Sequence, residues 1–247
     1  MTIILDFILP RRCLMCGDFT QQDDVTYTFE SVSQPSLCGM CWQQLSFITK
    51  PCCLNCGASL AFDGDACRSC FNKAFIFDSA RAVLTYNDTG KIMITRFKHG
   101  GQTGYARLFA PWMRNIALNF FDDQDLVNES NWDAIVVVPL HPFRFIKRGF
   151  NQAMMLTQYM GIPLPVLVKA LRRVRHTASQ GHQSSDDRKN NMHRAFVAEE
   201  SYVNGKRLLL IDDVMTTGAT LNECAAALKN AGAIRVDVLV LARAIRA

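Results

Sequence analysis

The chain is predicted to be an α/β protein: a parallel-sheet domain that carries a ligand loop, preceded by a small cysteine-rich module. Two observations lead there. Nine of the ten cysteines lie before residue 71, and the rest of the chain alternates short aliphatic runs with longer stretches of helical spacing. At 247 residues and 49% hydrophobic content the chain can build one large or two modest cores, which excludes a disordered protein. Composition shifts near residue 75, so the expected division is 1–75 for the cysteine module and 76–247 for the α/β domain.

Charge follows the same division. Residues 1–80 hold five Lys/Arg against eight Asp/Glu and residues 81–247 hold 22 against 14, so the basic surplus within the formal net charge of +5 belongs to the second part. The opening run is apolar but short, contains Asp6, and has Arg11 and Arg12 on the wrong side for a secretory signal. No window reaches about 18 apolar residues, so no membrane span is expected. A cytoplasmic location follows, and there a disulfide framework is not expected.

Eight cysteines form four Cys-x-x-Cys pairs: Cys13/Cys16, Cys38/Cys41, Cys53/Cys56 and Cys67/Cys70. Each pair lets two thiolates converge on one tetrahedral ion, so two pairs make a closed four-sulfur site with no position left for substrate. Sequential pairing closes loops of 21 and 10 residues, both suited to zinc ribbons. Some 70 residues interrupted by polar loops cannot easily build their own core, whereas structural zinc contributes roughly 10–16 kcal/mol of apparent binding energy. Two structural zinc ions are therefore expected. Disulfides, an iron–sulfur cluster and a crossed pairing are the rivals. Cys52 beside Cys53 leaves the register open, although only Cys53 keeps the two-residue spacing to Cys56. Cys224 reads as a small core residue.

In the second part, residues 81–86 read as a strand closed by a turn at 87–90. The periodic segment 91–97 ends in Lys98-His99-Gly100-Gly101, which either holds Lys98 near an anion or leaves it solvated at a helix end. Residues 105–121 read as an amphipathic helix, and 122–131 as an acidic loop. A second buried strand starts near Trp132 and ends at Val138-Pro139-Leu140-His141-Pro142. Basic residues Arg144, Lys147 and Arg148 follow, then Gly149-Phe150-Asn151-Gln152 opens a helix through Tyr159. Residues 169–194 carry seven Lys/Arg, three His and two acids without an apolar period, which reads as a long polar loop.

The third aliphatic run, Leu208-Leu-Leu-Ile211, leads into Asp212-Asp213-Val-Met-Thr216-Thr217-Gly218-Ala219-Thr220, and residues 221–231 read as a helix. This is the chemistry of a ribose 5-phosphate site. Ligands of open α/β sheets bind at the carboxyl ends of strands, where a helix N-terminus offers N–H donors to a phosphate. Thr216, Thr217 and Thr220 add hydroxyls, and Gly218 lets the backbone close around an anion. Asp212 and Asp213 suit ribose hydroxyls or a hydrated Mg²⁺.

This segment resembles the phosphoribosyl pyrophosphate (PRPP) loop of type I phosphoribosyltransferases. With the paired Cys knuckles, Phe97-Lys98, Val138-Pro139-Leu140-His141, Arg148 to Gln152, Arg175, Thr177, Gln180, Arg188 and Asn191, the chain is similar over nearly its whole length to the ComF family, of ComFC/GntX-like type. Gln183 departs from the aliphatic residue common in similar proteins. The resemblance implies a phosphoribosyltransferase-like domain in which Asp212, Asp213, Thr216, Thr217, Gly218, Ala219 and Thr220 bind PRPP with Mg²⁺. Lys98, Arg148 and Gly149 would face the pyrophosphate, and the 169–194 loop would cover it. It also implies handling of single-stranded DNA during natural transformation beside a helicase-like ATPase. Arg144, Lys147, Arg148, Arg172, Arg173 and Arg175 are the candidate DNA contacts. The alternative is a catalytic phosphoribosyltransferase with an unidentified acceptor, in which Asp212 and Asp213 are the catalytic pair.

Overall fold

The computed structural model describes residues 12–20, 37–62, 64, 66–71, 74–99, 101–119, 132–174 and 195–244. Strands β1 (Ser79–Thr85), β2 (Ala134–Val137), β5 (Arg207–Met215) and β6 (Arg235–Arg243) form a parallel sheet in the order β1-β6-β5-β2. Their side chains alternate between its faces, as a period of two requires. Leu209, Ile211, Leu239, Leu241, Ile135 and Val137 meet helices α2 (Asp88–His99), α3 (Gly104–Asn119) and α5 (Gln152–Met160). On the other face Leu208, Leu210, Val236, Val238 and Val240 meet α7 (Ala219–Asn230) and the antiparallel pair β3 (Leu171–Arg173) and β4 (Phe196–Ala198). Helices α1 (Gly39–Gln43) and α6 (Glu200–Val203) are single turns, and α4 (Pro142–Arg148) follows β2.

The expected strands and helices are present, most with ends shifted by a residue or two; α2 begins at Asp88, inside the expected turn at 87–90, and β5 runs on to Met215, past the expected end at Ile211. Three features differ. The basic stretch after β2 is helix α4, started by Pro142 at its first turn and by His141, whose side chain accepts a hydrogen bond from the Phe143 N–H. Strand β6 supplies a central position of the sheet that the sequence reading did not assign. The polar loop is anchored at its two ends by β3 and β4, and its residues 175–194 lie outside the described ones.

The amino ends of the strands are locked. Asp237 is fully buried, yet Ser79 Oγ (2.7 Å), Trp132 Nε1 (2.9 Å) and Arg235 Nε (2.7 Å) all donate to its carboxylate. Burying a carboxylate costs several kcal/mol unless its oxygens are paired, and here three donors compensate.

The cysteine pairs assemble sequentially. The sulfurs of Cys13, Cys16, Cys38 and Cys41 lie within 4.8 Å of one another, as do those of Cys53, Cys56, Cys67 and Cys70. Sulfurs at about 2.3 Å from one tetrahedral zinc stand about 3.8 Å apart, and the Cys16–Cys38 and Cys56–Cys67 separations are 3.7 Å. Cys52 belongs to neither set. It bridges Ser59, as Arg12 bridges Phe19 one knuckle earlier. The two knuckles repeat each other: Gly17 and Gly57 donate to Cys13 and Cys53 carbonyls at 2.9 and 2.8 Å, both with positive φ. Their Leu14 and Leu54 carbonyls are both claimed from the α/β part, by Tyr105 Oη at 2.6 Å and Arg81 Nη1 at 3.1 Å.

Between the two clusters, residues 46–48 run antiparallel along the outer edge of β1. Ile48 N–H donates to the Val83 carbonyl and Thr85 N–H to the Ser46 carbonyl, each at 2.8 Å. An exposed strand edge invites unwanted pairing, and this segment occupies it. Cys13 and Cys41 then pack into the core on the α2/α3 face, while Cys53, Cys56 and Cys70 pack into the core on the α7 face.

Purified protein should contain two zinc ions per chain by elemental analysis, and a brown, iron-containing preparation would contradict that. The repeated knuckles also permit an internally controlled test. A Cβ at Gly17 meets nothing within 4 Å, whereas one at Gly57 lies 2.8 Å from the Ala80 carbonyl oxygen and 2.9 Å from Arg81 Cα. Gly17→Ala should cost only the left-handed strain, about 1–2 kcal/mol. Gly57→Ala adds overpacking against β1 backbone, about 1–3 kcal/mol more, so its melting temperature should fall further.

Candidate functional site

The direction of the crossovers selects the ligand crevice. From β2 the chain passes through α4 and α5 to Val166, which pairs in parallel with Ile135 on the outer side of β2. From β5 it passes through α7 to β6 on the inner side. The strand order therefore reverses between β2 and β5, and open α/β sheets bind ligands outside the carboxyl ends at such a point.

Asp212 and Asp213 lie inside β5 rather than after it, so their side chains leave opposite faces of the strand. Asp213 is buried and pairs with Lys98 Nζ at 2.8 Å, delivered by the last turn of α2. Asp212 accepts from the Asp213 N–H at 2.9 Å. Burial, followed by the charge of Asp213, pushes the Asp212 carboxyl up to about 7, against the pull of Lys98 and Arg148. Arg148, from the end of α4, is half-buried; desolvation lowers its pKa while both aspartates oppose the change. Its Nη1 donates to Gln152 Oε1 at 3.0 Å. Gln152 is buried, and its Nε2 has no hydrogen-bond partner among the described residues.

The loop after β5 presents Thr216, Thr217, Gly218, Ala219 and Thr220 beside these groups. Gly218 takes φ 77° and is the N-cap of α7, and having no side chain it caps none of the first-turn N–H groups, the kind of donors that helix N-termini offer to anions. Thr217 Oγ1 accepts from the Ala219 N–H at 3.3 Å. Glycine is favoured here by φ, and a Cβ would stand 2.7 Å from Met215 Cε and 2.9 Å from Phe75 Cε1, so both side chains would have to shift to admit one.

The expected residues thus converge: Lys98, Arg148, Asp212, Asp213 and the threonine loop come together from three elements. Gly149 ends α4 in the left-handed conformation, and its N–H is engaged by the Phe145 carbonyl at 2.7 Å. Of the candidate DNA contacts, Arg144 and Lys147 are exposed on α4 and Arg172 on β3. Arg173 sits 5.4 Å above the Phe196 ring, and the charge of Arg144 bears on both Arg173 and Arg148. Arg175 lies outside the described residues.

Sequence reasoning missed two supports. Arg243 closes β6 as a buried cation whose Nη1 donates to the Met215, Thr216 and Ala244 carbonyls, holding the start of the threonine loop. Its signal was a charge ending the buried run Val-Leu-Val-Leu-Ala-Arg243. Phe75, stacked on Phe77 with centroids 4.5 Å apart, touches Gly218, and the next residue, Ile76, donates its N–H to Asn222 Oδ1 at 2.6 Å in the first turn of α7. No local pattern announces that contact, since 146 residues separate the partners.

Comparison with known proteins agrees with both parts of the chain. Residues 4–71 match the family model of a double zinc ribbon domain, and residues 124–246 that of a phosphoribosyl transferase domain. The two ribbons are thus zinc-binding Cys₄ sites, closed and structural. Competence protein F of Haemophilus influenzae is 32% identical over 86% of this chain and 93% of its own length. Competence protein ComFC of Streptococcus pneumoniae is 28% identical over 94% and 100% of the respective chains. The DNA utilization protein YhgH of Salmonella typhimurium is 30% identical over 85% and 97%. Among the described residues no helix is long and apolar enough to cross a membrane. Joining a double zinc ribbon to a phosphoribosyltransferase-type domain, and alike over nearly its whole length to these relatives, this chain belongs to the ComF/ComFC family of competence proteins.

Proposed function

We propose that the protein handles single-stranded DNA during natural transformation and carries a binding site for PRPP. The observation that carries the PRPP reading is the meeting of Lys98, Arg148, the Asp212/Asp213 pair and the α7 N-terminus at the switch point of the sheet. In this reading the 216–220 loop takes the 5-phosphate through N–H and hydroxyl donors, and the aspartates take the ribose hydroxyls. Lys98 and Arg148 take the pyrophosphate as charge-assisted donors. Mg²⁺ fits the donor set: two carboxylates offer oxygen to a hard cation that keeps most of its water. With Lys98 already on Asp213 Oδ1, Asp212 is the carboxylate better placed to face that hydrated ion.

The DNA reading rests on the family and on the cations that continue outward from the site. Arg144, Lys147 and Arg172 are exposed, and α4 contains no acid. Such a surface pairs phosphates without reading sequence. A helicase-like ATPase is the partner this role calls for.

Calorimetry with Mg²⁺ should detect PRPP binding at millimolar concentration or tighter. The double variant Asp212→Asn/Asp213→Asn keeps the shape but removes the charges, and affinity should fall by about tenfold or more, since a hydrogen bond to a charged group contributes about 1.5–3 kcal/mol. Absence of heat with the wild type at millimolar PRPP would remove the ligand reading.

Single-stranded DNA should bind with little sequence preference and weaken steeply with salt. Each phosphate contact contributes a slope of about −0.7 in log K against log salt for single strands. The triple variant Arg172→Ala/Arg173→Ala/Arg175→Ala should flatten the slope by up to about two units. Identical curves for variant and wild type at every salt concentration would move the DNA site elsewhere. Displacement of the DNA by PRPP would then indicate one shared anionic site, and independent binding two.

A further inference from the structure

Helix α4 places apolar side chains where a soluble protein has reason to hide them. Phe143 is 68% exposed, Phe145 50% and Ile146 78%, and across from them Val168 is 57% exposed. Phe145 and Ile146 form one wall of a cavity of about 400 Å³, whose other walls are Leu140 at the exit of β2, Met154 of α5, Val168, and Leu171 of β3. That volume lies within the range of about 300–1,000 Å³ common for ligand pockets. Asn151 lines it too, its amide oriented by two bonds: Nδ2 donates to the Val138 carbonyl at 3.1 Å and Oδ1 accepts from the Met154 N–H at 3.3 Å. An occupant would therefore be held chiefly by apolar and ring contact.

Among the described residues the cavity adjoins exposed cations: Arg144 and Lys147 share α4 with these side chains, and Arg172 stands on the adjoining β3. Cations around flat apolar faces suit a polyanion whose rings are unpaired, because bases stack on aromatic side chains while lysine and arginine follow the phosphates. A duplex keeps its bases inside the stack. An anionic membrane would meet a convex apolar face, whereas this one is concave and only two helical turns long.

We propose that the outer face of α4 and the cavity beneath it form a platform for unpaired nucleobases of single-stranded DNA, with Phe145 and Ile146 as its principal contacts. This rests on the DNA-handling reading above and adds to it: bases as well as phosphates are bound.

The test compares the full-length protein on two oligonucleotides of equal length and charge, one of thymidines and one abasic. Fluorescence anisotropy should show the thymidine strand bound about tenfold tighter or more, as expected from one or more stacked bases. A 2-aminopurine placed in the strand should lose fluorescence on binding. In Phe145→Ala/Ile146→Ser the thymidine strand should bind no tighter than the abasic one, while Phe145→Trp, which retains a stacking ring, should keep the preference. An unchanged melting temperature and zinc content confirm that the variants are folded. If the wild type binds both strands alike, the platform is refuted and DNA binding through phosphates stands. If it binds neither, the DNA reading itself fails. Equal binding of both strands, with tight binding to phosphatidylserine vesicles that the double variant abolishes, would assign the face to a membrane surface and overturn the proposal.

Discussion

The outer edge of β1 is the constraint on which much of the architecture depends. A parallel strand at the rim of a sheet has one row of peptide groups without a strand neighbour, and those groups must find partners or water. Residues 46–48 supply partners, and because this segment joins the two cysteine clusters, closing the edge brings one cluster to each face of the sheet. The zinc ribbons are thus built into the cores on either side. Cys53 and Cys56 are fully buried against the same cluster as Val238 and Val240, so metal binding at that site orders side chains that also hold the central strand. The repeated knuckle explains how one motif docks twice. In each, a leucine carbonyl at the turn is offered to a donor from the α/β part, Tyr105 in one case and Arg81 in the other.

The two ends of the sheet solve opposite electrostatic problems. At the amino end the buried Asp237 is satisfied by Ser79 of β1, Trp132 at the entry to β2 and Arg235 of its own strand, so the charge ties strands of the sheet together. At the carboxyl end Asp212 and Asp213 sit within a strand, and among the described residues Lys98 pairs with Asp213 at 2.8 Å. Burial, followed by the adjacent charge of Asp213, pushes the Asp212 carboxyl up to about 7, and Lys98 and Arg148 offset only part of it. Adjacent carboxylates taken out of water disfavour each other's charged form, so such a pair costs the folded protein stability, unlike the satisfied Asp237.

Most of this was legible in the sequence wherever chemistry is local. Four Cys-x-x-Cys pairs announce two tetrahedral sites because two thiolates must approach one ion over a short turn. The run from Leu208 to Thr220 announces strand, acids and phosphate loop because each acts through residues a few positions apart. What failed to show was set by distant contacts. Strand β6 has the apolar character of a buried strand, but only its pairing with β1 and β5 reveals it as central. The basic stretch after β2 reads as a loop because Phe143, Phe145 and Ile146 show no buried stripe; it is a helix because His141 and Pro142 start it and Gly149 ends it. The sequence left Lys98 either beside an anion or solvated at a helix end, and nothing local announces the partner the fold gives it, Asp213, far along the chain.

Arg243 joins the structural and ligand-facing halves of the molecule. Its guanidinium takes the carbonyls of Met215 and Thr216, the residues that lead from β5 into the phosphate loop, and its charge also reaches the thiol of Cys56 in the second ribbon. Phe75, on the segment that leaves the same ribbon, presses on Gly218 from the other side, and Ile76 is tied to the first turn of α7. The loop that would grip a phosphate is therefore held between the end of β6 and the segment that leaves the second ribbon. Anion binding by backbone N–H groups gains from donors already aimed at the ligand, since otherwise part of the interaction is spent on ordering the loop. A closed zinc site, with no coordination position to offer a substrate, can still bear on the loop by packing: it orders the ribbon from which the Phe75 segment leaves, and Phe75 lies against Gly218.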